Sequence, residues 1–255
     1  MLTSYQHNVS SLGYRISLCI FLLWLPAAKA EEIRVVTEYL HTFQMKNENG
    51  ILGGYAVEVV HALFDLTGDK ANIEVVPWAR AYHEALNDKN VMIFSIAKTP
   101  LREDLFKWIG TLSQEKLFVW ALKNHIKEPI TELEQLKKYT LATTRSSNPE
   151  QYLTNKGFNK LFRISKPNQA LGMLFKERAD LIISTEMSLR HRTKQAGLNF
   201  DQLVKVYEIE ALNHQLYIAF NLETSPTLIE RYTLAFTRLQ ENGTLHALMT
   251  KWHIH

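Results

Sequence analysis

The chain has 255 residues, a formal net charge of +3 and a single cysteine. One cysteine excludes a disulfide within the chain, and the charge, which falls to a near-neutral +1 once the leader described next is removed, gives no reason to expect nucleic acid or an acidic membrane as partner. Hydrophobic residues make up 46%, the share an ordinary globular core requires.

Residues 16–25 (ISLCIFLLWL) form an apolar run too short to cross a bilayer as a helix. Arg15 precedes it, Pro26 ends it, and Ala28-Lys29-Ala30 supplies small residues around a lysine. This is the pattern of a cleaved secretory signal over residues 1–30. Cys19 lies inside the run behind Leu18, not where a lipidated cysteine would close it. Loss of Arg15 and Lys29 lowers the formal charge from +3 to +1. The mature chain, about 225 residues, is one large domain or two smaller ones.

Residues 32–37 (EIRVVT) read as a strand, and Gly53-Gly54 leads into a helix over 55–66. There Ala56, Val59, Val60 and Leu63 share one face, and Gly68 stops the helix. A strand over 72–76 closes at Pro77, a helix covers 78–86, and 91–97 (VMIFSIA) is a buried strand. Strand–helix–strand–helix–strand is the rhythm of a parallel sheet covered on both faces. The strand over 91–97 ends in small and hydroxylic residues, the chain turns at Pro100, and Arg102 opens a polar segment that reads as helical. Small residues, loose amides and a guanidinium gathered at a strand's carboxyl end can grip a carboxylate. A turn carrying a solvated arginine fits the same stretch.

Residues 116–122 form another strand, and Thr131-Glu132-Leu133-Glu134 is a capping box opening a short helix. A second α/β unit follows. It has strands over 139–143, 161–165, 180–184 and 203–207, and helices after Ser147-Asn148-Pro149, over 168–178 and over 187–196. A strand over 216–221, a long amphipathic helix from Ser225-Pro226 to Asn242 and a short closing helix bearing Leu245, Leu248 and Trp252 complete the chain. The closing helices need a sheet to cover, which returns residues 213–255 to the first unit. Two lobes result, 31–121 plus 213–255 and 122–212. The chain crosses between them twice, near 120–123 and 210–214, and paired crossings make a hinge.

Five stretches carry a family resemblance: Asn49-Gly50-x-x-Gly53-Gly54-Tyr55-x-Val57-Glu58; Pro77-Trp78-x-Arg80; Thr99-Pro100-x-Arg102; residues 174–180 (LFKERAD); and Asn242-Gly243-Thr244 with Trp252. In that order and spacing the chain resembles the periplasmic solute-binding proteins of polar amino-acid ABC transporters, which have the two-lobed type II periplasmic-binding-protein fold. The resemblance implies an α/β protein of two lobes and two hinge crossings that captures a small carboxylate-bearing ligand, in the periplasm, as a monomer. A permease would be its partner, and no cofactor, metal or nucleic acid is implied. Arg102 would clamp the ligand carboxylate, and the backbone around Ser95 and Ala97 would hold its polar groups. Ser146 and Ser147 would offer helix-start amides, and Phe43 and Trp78 would wall the pocket. Tyr39 fits a cleft aromatic or a core position, and Arg145 a ligand contact or a solvated loop. The family's amine-binding aspartate falls at Thr185, so either the adjacent Glu186 takes its role or the ligand is not an ordinary α-amino acid. Arg80 and Arg145 add positive charge, favouring an acidic ligand.

Two other classes remain. One is a sensor presenting its ligand to a membrane receptor. The other is a cleft enzyme resembling cyclohexadienyl dehydratases, for which His41 and Glu186 are the available acid–base candidates. His253-x-His255 reads as a solvated terminal pair rather than a metal site.

Overall fold

The structure, a computed structural model, describes residues 32–123 and 125–254. The expected leader, Cys19 and His255 lie outside the described residues.

The chain begins with β1 (Arg34–Thr37), a small hairpin of β2 (Met45–Lys46) and β3 (Leu52–Gly53), and α1 (Tyr55–Thr67). There follow β4 (Ile73–Val75), α2 (Trp78–Asn87), β5 (Val91–Ala97) and β6 (Phe106–Gln114). With β12 (Gln215–Asn221), these build a five-stranded sheet in the order β4-β1-β5-β12-β6. β1 is parallel to β4 and β5, while β12 runs antiparallel between β5 and β6.

The central strands β1, β5 and most of β12 are buried on both faces, so their apolar runs show no polar alternation. Val35, Met92, Phe94 and Phe220 pack toward α1, α6 (Pro226–Glu241) and α7 (Thr244–Lys251). Val36, Val91, Ile93 and Ala219 face Ala81, Tyr82 and Ala85 of α2. The helix stops are conformational: Gly68 and Gly243 sit at φ 76° and 79°, where a side chain is disfavoured.

The second sheet holds β7 (Phe118–Leu122), β8 (Leu141–Thr144), β9 (Leu161–Ile164), β10 (Leu181–Ser184) and β11 (Leu203–Glu208), in the order β11-β7-β10-β8-β9. α3 (Asn148–Asn155), α4 (Pro167–Phe175) and α5 (Glu186–Gln195) complete this half. Apolar side chains again divide between two faces, Val119, Ala121 and Leu181 on one and Trp120, Ala142 and Ile182 on the other.

Three sequence expectations need correction. The segment after Arg102 is not a helix: a single 3-10 turn (Glu103–Leu105) passes directly into β6. Its polar first residues suggested a helix, but Phe106, Ile109 and Leu112 are buried against the sheet. Strand β7 belongs to the second sheet, so the first crossing lies at residues 115–117, before the expected 120–123. The capping box is displaced by one residue, with Gln135 accepting from the Glu132 amide (3.1 Å), and it opens a 3-10 helix (Leu133–Lys138).

The two crossings are bonded to each other. The Glu115 amide donates to the His214 carbonyl (3.0 Å), and the Leu117 amide donates to Asn213 Oδ1 (3.0 Å). They therefore extend the β6–β12 ladder, which ends at Gln114 opposite Gln215.

Candidate functional site

Parallel strands deliver their carboxyl ends, and the loops that follow, to one edge of a sheet. In the first sheet that edge carries Thr37 at the end of β1 with Glu38 after it, and Ala97 at the end of β5 with Thr99 and Arg102 after it. Ser95 is part of the strand that shapes it. It adopts φ 58° and has no partner residue on β12, where the register shifts between Ile96 and Phe94. This bulge turns Ser95 inward. Its hydroxyl donates to Gln44 Oε1 (2.9 Å), and Gln44 Nε2 donates to Thr37 Oγ1 (3.0 Å). This buried chain ties β5, β1 and the 40–43 turn together and occupies the Ser95 hydroxyl.

Arg102 is 1% exposed. Its Nε donates to Gln151 Oε1 (3.1 Å), its Nη2 to the Ser146 carbonyl (3.0 Å) and its Nη1 to the Ala97 carbonyl (3.4 Å). The guanidinium carbon lies 4.8 Å from the centre of the Tyr82 ring and 5.5 Å from that of Trp78. Burial pulls its pKa down to about 10, which still leaves it charged at neutral pH. Trp78, 5% exposed, donates from Nε1 to the same Ser146 carbonyl (2.9 Å). The structure thus brings Arg102, Ala97, Trp78 and Ser146 together, the first three from the first-sheet side and the last from the second.

Ser146 reaches this cluster through its carbonyl, at φ 60°. Its amide donates to Glu150 Oε2 (3.2 Å), and the Ser147 amide donates to the Thr144 carbonyl (3.1 Å). Ser147 is the N-cap of α3, its hydroxyl accepting from the Glu150 amide (3.3 Å). The helix start therefore satisfies its own donors. Arg145 beside it is exposed.

The remaining expected residues do other things. Phe43 is 2% exposed and packs edge-on against Tyr55 in the core, because the carbonyls of residues 42 and 43 accept the first amides of α1. Tyr39 is 47% exposed. Thr185 caps α5 by accepting from the Ser188 amide (3.2 Å). The Glu186 carboxylate is bound by Lys205 Nζ (2.6 Å) and Arg190 Nη2 (2.7 Å), and these pairs hold its pKa below the usual range. That leaves Glu186 no uncommitted charge for a ligand amine. Arg80 makes a surface ion pair with Glu84 (2.7 Å).

Sequence reasoning missed Glu38, Glu115, Arg192 and His191. Glu38 follows β1 directly and Glu115 lies on the first crossing. Burial pushes the Glu38 carboxyl up to about 8, against the opposing pull of Arg192 and with a further push from Glu115. Burial pushes Glu115 up to about 7. Both residues keep some accessible surface. Arg192, on α5, donates from Nη2 to Ser184 Oγ (2.6 Å) and from Nη1 to the Pro167 carbonyl (3.0 Å); desolvation lowers its pKa to about 10. The His41 and His191 rings stack across the halves, 3.3 Å between centres and 4° from parallel. Beside them Thr42 Oγ1 lies 3.4 Å from Met187 Sδ, and a groove lined by His41, Glu186, Met187, Arg190, His191 and Lys194 opens to solvent. An acidic residue immediately after a strand end was the one available sequence signal, at Glu38.

Two five-stranded sheets joined by paired crossings define the periplasmic-binding-protein class of fold. The chain belongs to the bacterial extracellular solute-binding proteins, family 3, whose family model matches residues 33–255. Among solved structures it is similar to a histidine kinase sensor domain with similarity to periplasmic binding proteins (TM-score 0.76, 19% identity, 87% of this chain and 96% of that one). It is also similar to an ancestral arginine-binding protein bound to arginine (TM-score 0.73, 19% identity, 86% and 97% covered). A third relative is an ancestral amino acid-binding protein described as a precursor of cyclohexadienyl dehydratase (TM-score 0.69, 18% identity, 86% and 94% covered). A comparison with curated proteins finds no match.

Proposed function

We propose that this protein is a periplasmic solute-binding protein, exported by a cleaved leader over residues 1–30, that captures a small carboxylate-bearing molecule, an amino acid or a close relative, for an ABC importer. The observation that carries this reading is Arg102. It is a fully enclosed guanidinium with no carboxylate in ion-pair range among the described residues, held where the two halves meet. A buried charge is costly unless an opposite charge or several hydrogen bonds compensate it. Three uncharged acceptors surround Arg102, and a ligand carboxylate would supply the planar bidentate partner that its donor fork matches.

In this reading the halves built on 32–114 plus 215–254 and on 118–208 move as rigid bodies about the paired crossings. Ligand contacts from both halves favour the closed form, and a permease reads closure. Calorimetry and thermal shifts against amino acids, dicarboxylates and opines test the proposal. At least one compound should bind, and Arg102→Ala should abolish that binding while leaving a cooperative melt. Failure of every compound to bind, or binding that survives Arg102→Ala, would sink it.

The likeness to a sensor domain favours a second reading, ligand presentation to a membrane receptor. Co-purification with a permease or with a receptor kinase separates the two. Binding is preferred over turnover because Glu186 is consumed by two ion pairs and His41 stacks face to face on His191, so neither is poised as an acid or base. Recovery of the ligand unchanged after incubation is the matching check.

A further inference from the structure

The two halves also meet at a pair of histidines. The rings of His41 and His191 lie face to face, 3.3 Å between centres and 4° from parallel, one carried by the turn after β1 and the other by α5. Both are mounted on backbone that is held in place. The 40–43 turn is tied by the Leu40–Gln44 bridge, where the Gln44 amide donates to the Leu40 carbonyl (2.8 Å). It is tied again by the first amides of α1, which the Thr42 and Phe43 carbonyls accept (2.9 Å each). His191 lies inside α5, between the buried Leu189 and Thr193. Thr42 Oγ1 and Met187 Sδ, 3.4 Å apart, make a neighbouring contact without charge.

Imidazoles stacked this closely tolerate one proton better than two. A single imidazolium can rest on the face of a neutral ring, whereas a second proton puts like charges in contact. Nearby charge adds to that repulsion. α5 presents Arg190 and Lys194 to the groove beside the rings, and Lys194 and Arg192 act on His191. The carboxylate in that groove, Glu186, is already held by Arg190 and by Lys205 of β11. On the first-half side, residues 38–44 bear one carboxyl, Glu38, which keeps its proton to about pH 8 and so supplies no negative charge in acid. His41 Nδ1 is enclosed without a hydrogen-bond partner, so a proton there would find no acceptor.

We propose that the stacked pair is a proton-operated latch: neutral, it holds the two halves together, and protonated, it drives them apart about the crossings. It shares with the reading of Arg102 only the hinge, and it needs no ligand. The direction follows from linkage. Burial holds both imidazoles below 6.5 in the closed form, His41 at about 4, and exposure on opening returns them toward 6.5. The open form therefore binds more protons. Below about pH 6.5 the closed-to-open ratio falls by up to about tenfold per pH unit for each proton taken up. A solute captured at neutral pH would be released in acid.

Small-angle scattering and histidine NMR on the protein without added solute test this. As pH is lowered from about 7.5 to about 4.5, the radius of gyration should rise while far-UV dichroism stays native, and both ring signals should titrate below about 6.5. In His41→Gln/His191→Gln the rise should disappear. His191→Phe keeps a ring on His41 and removes one proton site, so it should cut the rise by roughly half or more, which decides the matter if the double variant does not fold. A constant wild-type radius, an equal rise in either variant, ring signals titrating at the ordinary value, or loss of native dichroism in place of the rise would overturn the latch. Each of these would leave the carboxylate reading intact, since that reading stands or falls with Arg102→Ala.

Discussion

At the scale of single residues, Trp78 gives the most direct measure of contact between the halves. Its indole N–H reaches the Ser146 carbonyl at 2.9 Å while its ring stacks near Tyr82. Trp78→Phe keeps an aromatic surface beside Arg102 and removes only the donor. A neutral hydrogen bond contributes about 1 kcal/mol net, so ligand affinity should fall by roughly fivefold with little change in melting temperature. An unchanged affinity would mean that this bond does not distinguish bound from free protein. Titratable residues set the pH response. Burial, and secondarily His191, hold His41 at about 4, and His191 is lowered as well. These folded values lie below the ordinary 6.5, so the folded state binds fewer protons, and stability is lost as pH falls from 6.5 toward 4. Glu38 and Glu115 act oppositely. Their folded values lie above the ordinary 4.5, so stability is lost as pH climbs through 7 and 8. Melting temperature should therefore decline between about pH 6.5 and 8, and the double Glu→Gln variant should flatten that decline. A decline of equal slope in both proteins would mean the two carboxyls are not held protonated.

At the scale of elements, β6 shows what local pattern cannot supply. Its burial repeats irregularly rather than alternating, because β12 pairs with it through two register shifts. At Gly110 the strand comes so close to α6 that an added Cβ would lie 2.2 Å from the Phe236 ring. Gly110→Ala should therefore cost about 1–3 kcal/mol in denaturant unfolding. In a Phe236→Leu background, which removes the ring, the same substitution should cost less. An equal cost in both backgrounds would place the strain elsewhere. The elements written in local pattern were legible: apolar runs for β1, β5 and β12, amphipathic spacing for α1 and α6, and glycine stops at Gly68 and Gly243. Arg102 was legible because proline and small residues around a strand end mark its turn. Glu38 and Glu115 were not, since uncommitted carboxyls are recognised only when every other carboxylate's partner is known. Phe43 failed for the same reason, its role being fixed by the α1 amides that its carbonyl receives.

At the scale of the whole molecule, two patches of contact join the halves. One joins Trp78 and Arg102 to Ser146 and Gln151, and the other joins the 40–43 turn to α5 through His41–His191 and Thr42–Met187. The crossings themselves are stitched by Glu115–His214 and Leu117–Asn213 bonds, which a bend about them can retain. A ligand shifts such an equilibrium only by its different affinity for the two forms, so the second patch, which shares no residue with the Arg102 cluster, reports closure without altering the carboxylate grip. Cys19 is the sole cysteine, so residues 32–254 contain none and a reporter pair can be introduced cleanly. In the Thr42→Cys/Met187→Cys protein, a short bis-maleimide should cross-link faster in the presence of a bound ligand. Once linked, the protein should release that ligand about tenfold more slowly, because opening is blocked while the binding groups are unaltered. Ligand-independent cross-linking, together with a scattering radius that does not contract on binding, would mean the halves do not move and the cleft is a fixed one.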